Sequence, residues 1–148
     1  MTDADPGTTI PEQQWSGSAW YERNSTRLAR EEQVMRDKFP QFSLNKVDGQ
    51  LYWRGTLRSN SYNRYDVGIY YPSSYPYEAP EPYILDPDVT EYGPPHIYRD
   101  GMLCVFYRSD GTWEQNSTMA TMVGLVGAWI NAFEHWRETG EWPGPEAD

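Results

Sequence analysis

At 148 residues with a net charge of −10, the chain is long enough for one domain with a real core, and too acidic to be drawn by charge to nucleic acid or an anionic membrane. Its single cysteine excludes an intrachain disulfide framework and a cysteine-based zinc cluster, and no metal or other cofactor is expected. No apolar run approaches the roughly 20 residues of a membrane span, and the opening MTDADPGTTIPEQQ lacks the basic and apolar regions of a signal peptide, so a soluble, cytoplasmic protein is expected.

Residues 1–14 are polar and turn-rich and read as a flexible N-terminal tail, ahead of one domain over residues 15–148. From Ser16 or Ser18 a start signal leads into AWYERNSTRLAREEQVMRDKF, one helix ended by Pro40. Trp20, Leu28, Met35 and Phe39 fall near one face of it. Arg23, Arg27 and Arg30 fall on another, either as a docking surface for an acidic partner or as a solvated face paired with Glu31 and Glu32. QFSLNKV, a DG turn and QLYWRGTL then read as a hairpin, RYDVGIYY as a third strand, and PYIL as a short fourth after a proline-rich stretch.

A long irregular passage carries the cysteine in PPHIYRDGMLCVFYRSDGTW. Beyond it, Ser117 or Thr118 caps a helix whose stripe of Met119, Met122, Val126, Trp129, Ile130 and Phe133 is core, with Gly140 as its stop. Gly124 and Gly127 in that helix call for a reason, and close packing against a neighbouring element would supply one. His135 on this helix reads as a solvated or satisfied histidine. A helix, a meander, a long loop and a helix make an α+β architecture.

Cys104 admits two readings. Free cysteines are among the most buried residues, and MLCVF fits a core strand. Against that, the RDG turn brings Cys104 close to a surface bend, and Arg99 and Arg108 flank it with charges that favour a thiolate. His96 lies eight residues upstream, so a Cys–His hydrolase is a third possibility, although no local protease signature is present.

In its order of elements the chain resembles the ubiquitin-conjugating (UBC) enzymes. YPSSYPYEAPEPYIL resembles that family's Tyr-Pro-x-x-Tyr-Pro-x-x-x-Pro passage. HIYRDGMLCVF resembles His-Pro-Asn followed by Gly-x-Ile-Cys-Leu, with His96, Gly101, Leu103 and Cys104 in matching positions and Trp113 near the family's post-cysteine tryptophan. The resemblance runs from Trp15 to Trp136. It implies the UBC fold: an N-terminal helix, a four-stranded antiparallel meander, an active-site loop and a C-terminal helix.

The resemblance also implies an activity. Cys104 would carry a thioester to the C-terminal glycine of a partner protein and pass the acyl group to an amine. His96 would be the family's structural histidine. Ile97-Tyr98 replace the Pro-Asn credited with supporting the loop and the oxyanion, so Tyr98, a backbone N–H or another side chain would do that work. Asp100 and Asp110 are candidates to orient the amine, or simple turn formers. Arg23, Arg27 and Arg30 would meet an activating enzyme. This departure and the divergent C-terminus resemble the bacterial branch found in CBASS anti-phage operons, which implies a cGAS-like nucleotidyltransferase or a ubiquitin-like protein as partner. A non-catalytic binding scaffold of the same fold is the alternative.

Overall fold

The computed structural model describes residues 19–105 and 112–144, and its first helical stretch is two helices rather than one. These are α1 (Trp20–Arg23) and α2 (Ser25–Lys38). Between them Asn24 is non-helical (φ −140°, ψ 66°), and its side-chain oxygen accepts the Arg27 N–H at 3.1 Å. Asparagine, serine and threonine in a row offer the backbone side-chain partners that compete with a continuing helix, so the apolar period overruns a true boundary. At the other end the Phe39 N–H donates to Met35 O at 2.7 Å and Pro40 follows. Residues 1–14, Ser16 and Ser18 lie outside the described residues.

Four strands follow as one antiparallel meander in the order β1 (Ser43–Val47), β2 (Gln50–Arg58), β3 (Arg64–Tyr70) and β4 (Glu81–Asp86). Asp48 and Gly49 both take positive φ (51° and 82°), as a tight hairpin turn matched to strand twist requires. Alternation then sorts the faces. Leu51, Trp53, Tyr65, Val67 and Ile69 are buried in the core. On the opposite face Tyr52 stacks on Tyr70 with ring centres 4.7 Å apart, beside an Arg54–Asp66 ion pair at 2.6 Å. Gly55 is required by a close approach: a Cβ there would lie 2.6 Å from the Phe42 ring.

The last helix, α3 (Met119–Thr139), starts after Thr118 and stops at Gly140, whose φ of 83° suits glycine. The whole stripe from Met119 to Phe133 is buried. Gly124 and Gly127 correct the expectation, because a Cβ at either position would meet nothing within 4 Å. They face open space, and close packing does not account for them. Among the described residues no helix is long and apolar enough to cross a membrane.

What joins α2, the proline-rich turn and α3 is a buried carboxylate. Glu31, 1% exposed, accepts the Tyr71 hydroxyl at 2.8 Å, the Tyr75 hydroxyl at 2.7 Å and the Met119 N–H at 3.0 Å. The last of these places negative charge on the α3 N-terminus, where the helix dipole favours it. Burial and the Glu31 charge hold both tyrosine hydroxyls well above their usual pKa, so they stay protonated and donate.

Arg27 completes the cluster. Its Nε lies 3.5 Å from Glu31 Oε2, one Nη donates to Tyr75 Oη at 3.0 Å, and the guanidinium also donates to the Gln115 and Ser117 carbonyls. Glu31 is therefore not part of a solvated face, and Arg27 is engaged within the fold.

Arg27→Met should destabilise the protein by about 3–5 kcal/mol, because it strands a buried carboxylate. Adding Glu31→Leu should recover part of that loss, so urea unfolding of the two single variants and the double variant should give strongly non-additive values. Gly124→Ala should stabilise by about 0.5–1 kcal/mol in the same assay, since the site is helical and empty.

Candidate active site

The passage expected to be irregular is partly ordered by its own turn residues. Val89–Tyr92 form a single 3₁₀ turn, opened by Asp88, whose side chain accepts the Thr90 N–H, and closed by Gly93 at φ 63°. Residues 97–103 then make a miniature hairpin. Ile97 pairs with Leu103, the Tyr98 N–H donates to Met102 O at 2.8 Å, and the Gly101 N–H donates to Tyr98 O at 2.9 Å. Arg99-Asp100-Gly101 is its tip, with Gly101 at φ 95° and Asp100 Oδ1 accepting the Met102 N–H at 3.0 Å.

The far arm of this hairpin carries Cys104 and is anchored on two sides. The Leu103 N–H donates to Pro82 O on β4, and the Cys104 N–H donates to His96 O, both at 2.9 Å. Pro82 has no N–H to give, which suits an edge strand, but its carbonyl is what the cysteine segment docks on. Leu103 is buried and Cys104 is half-buried, which lies between the two readings. The segment is a core element that brings its thiol to the rim.

His96 contributes through its backbone. Its φ is 62°, a left-handed conformation uncommon outside glycine, asparagine and aspartate, and its carbonyl accepts a second donor, the Trp129 indole N–H, at 2.9 Å. The imidazole lies against Trp142, with ring centres 4.8 Å apart. Its Nε2 is buried without a hydrogen-bond partner, and no hydrogen bond joins the ring to the thiol. The bonds that hold the loop here run through the His96 carbonyl rather than through the imidazole Nε2.

Cys104 opens on a cleft of about 280 Å³ whose walls include Tyr77, Glu78, Glu81, Tyr98, Met102 and Trp113. The proline-rich passage is one wall, tied across by the Trp113 indole N–H donating to Pro76 O at 3.0 Å. Tyr98 is 46% exposed at the mouth. Among the described residues no basic side chain lines the cleft.

The electrostatics of the cleft are acidic. Burial, then Glu78 and Asp100, raise the Glu81 carboxyl above its ordinary pKa. Asp100 Oδ2 accepts the Tyr83 hydroxyl at 3.3 Å, and burial together with that charge pushes the Tyr83 hydroxyl up to about 12.

The remaining sequence candidates are dispersed. Asp110 and Arg108 lie outside the described residues. Arg99 and His135 are exposed, as are Arg23 and Arg30 on the N-terminal helices, whereas Arg27 turns inward. Sequence reasoning missed Glu81, Trp142 and the bond made by Trp129, which reads from periodicity only as core. Among the described residues no group of His, Cys, Asp and Glu is arranged to hold a metal ion.

Among solved structures the chain is similar to the UEV domain in a complex of the Vps23 UEV with ubiquitin, which has the UBC fold. Sequence identity is 16%, the TM-score is 0.55, and the match covers 82% of this chain and 86% of that one. At that identity the likeness establishes the fold. No curated protein matches the sequence. A family model described as Type II CBASS E2 protein matches residues 31–148, which takes in Glu31, the sheet, the cysteine segment and α3, and the chain belongs to that family.

Proposed function

We propose that this CBASS E2 protein is an acyl transferase that works through a thioester on Cys104. The observation carrying the reading is the placement of a half-buried thiol, fixed by backbone bonds on two sides, at the rim of a cleft with carboxylates on its wall. In the first step the Cys104 thiolate attacks an activated C-terminal glycyl group of a donor and expels the activating group. The donor is a cGAS-like nucleotidyltransferase or a ubiquitin-like protein, delivered by an activating enzyme, in anti-phage defence. In the second step an amine attacks the thioester carbonyl, an amide forms, and the thiolate leaves.

Because a thioester is already activated, the chain's contribution is position, oxyanion stabilisation and help for the amine. The N–H groups of Tyr98, Leu103 and Cys104 are committed to the hairpin and its anchors. The oxyanion donor is therefore sought on the cleft wall, where the Tyr98 side chain stands with Cys104. Glu78, Glu81 and Asp100 would attract a protonated amine and hold it near the thioester. A Cys–His hydrolase is disfavoured because the His96 imidazole makes no bond to the thiol.

Incubated with donor, ATP and activating enzyme, the wild type should give a thiol-sensitive adduct on a non-reducing gel, and Cys104→Ala should give none. An adduct that persists in the alanine variant sinks the proposal.

Glu81→Gln separates binding from stability. A carboxyl whose folded pKa is raised costs stability when ionised, fully above that raised value and not at all below its ordinary 4.5. The variant should therefore melt higher than wild type at pH 7, with the gain fading as pH falls through the raised value and gone below 4.5. Its single-turnover discharge onto free lysine should slow, by about tenfold or less, while loading is unchanged.

A further inference from the structure

Among the described residues one side-chain hydrogen bond, from the Trp129 indole, links α3 to the backbone that holds Cys104. Trp129 is 3% exposed, and its ring stacks on Phe133 at 5.4 Å with an interplanar angle of 9°. An indole N–H can only donate, and buried without an acceptor it would be costly. Its acceptor is His96 O, the same oxygen that takes the Cys104 N–H. A carbonyl has two lone pairs, and here both are used: one ties the cysteine strand to residue 96, the other ties residue 96 to the helix.

The backbone at His96 is in the left-handed region, which L side chains enter only when their surroundings hold them there. Trp142 lies over both partners, 5.5 Å from the Trp129 ring and 4.8 Å from the imidazole. On its other side the cysteine strand hangs on Pro82 O of β4. Cys104 is thus suspended between the edge strand and α3. Only the α3 connection runs through a side chain, so it is the one a substitution can remove.

We propose that Trp129 is a positioning residue for Cys104, its indole N–H fixing the His96 carbonyl and hence the height of the thiol at the cleft rim. This rests on the acyl-transfer reading of the site. Trp129 touches neither donor nor amine and acts only through the His96 carbonyl.

The cleanest test replaces residue 129 site-specifically with benzothienylalanine, which keeps the shape of tryptophan and deletes only the N–H; Trp129→Phe is the encoded counterpart. Phe133→Leu is the control, since it disturbs the same stacked pair and leaves the hydrogen bond intact. Three quantities are read: amide hydrogen exchange at Cys104, acyl transfer to Cys104 from a glycyl peptide thioester, and alkylation of Cys104 by iodoacetamide.

Deleting the N–H should speed Cys104 amide exchange about tenfold, because the anchored segment opens more often. It should lower the maximal acyl-transfer rate by about tenfold or more, with the concentration dependence on the thioester unchanged. Alkylation by the small reagent, which needs no set geometry, should stay within about twofold. Phe133→Leu should lower the melting temperature at least as much while leaving exchange at Cys104 and acyl transfer near wild type.

Wild-type exchange and transfer in the benzothienyl variant would overturn the inference. Equal losses in Phe133→Leu would overturn it too, by reducing the effect to helix packing. If wild type takes up no acyl group yet exchange still accelerates in the variant, the proposed function falls and the role of Trp129 in holding Cys104 stands.

Discussion

The carboxylate of Glu31 is the point on which three separate pieces of chain converge. Two tyrosine hydroxyls from the proline-rich turn between β3 and β4, one amide from the start of α3 and one guanidinium from α2 all meet it. A charge so deeply buried is tolerable only when its oxygens are fully bonded, and here the bonding partners are the elements that must be assembled. The cluster therefore sets the position of the α3 N-terminus relative to the sheet. Arg27 extends it by holding the Gln115 and Ser117 carbonyls, on the strand of chain that returns from the cysteine segment.

Once α3 is placed, the site follows. Trp129 lies two to three turns along the helix from Met119, and from there its indole reaches His96 O, while β4 offers Pro82 O from the other side. The thiol is held between a helix and an edge strand by groups that are almost all backbone. The acidic wall of the cleft comes from the proline-rich passage, which is itself seated by Tyr71 and Tyr75 on Glu31. Stability and presentation of the cysteine thus share one set of contacts.

Much of this was legible in the sequence where the signal is local. The DG pair gave the first hairpin because both residues must take positive φ, and turn and proline signals bounded the other strands. The α3 stripe, its start near Thr118 and its stop at Gly140 followed from period and capping. Where local signals compete, the reading failed: Asn24-Ser25-Thr26 breaks a helix that the apolar period carries straight through. Gly124 and Gly127 were read as packing sites, and they face open space. The motif around His96, Gly101 and Cys104 pointed to the family, but not to which part of His96 would matter.

By itself, the sequence determined the order of elements, the fold class and the one thiol available for covalent chemistry, because turns, periods and residue inventories are properties of neighbouring residues. Only the tertiary structure decided that Glu31 is buried rather than solvated, that Arg27 points inward, and that a helix tryptophan and a histidine carbonyl hold the cysteine. Those outcomes join residues such as Glu31 and Met119, or His96 and Trp129, that are far apart in the chain. Hydrogen-bond satisfaction in a closed core is decided by which groups arrive together, and no local pattern records that.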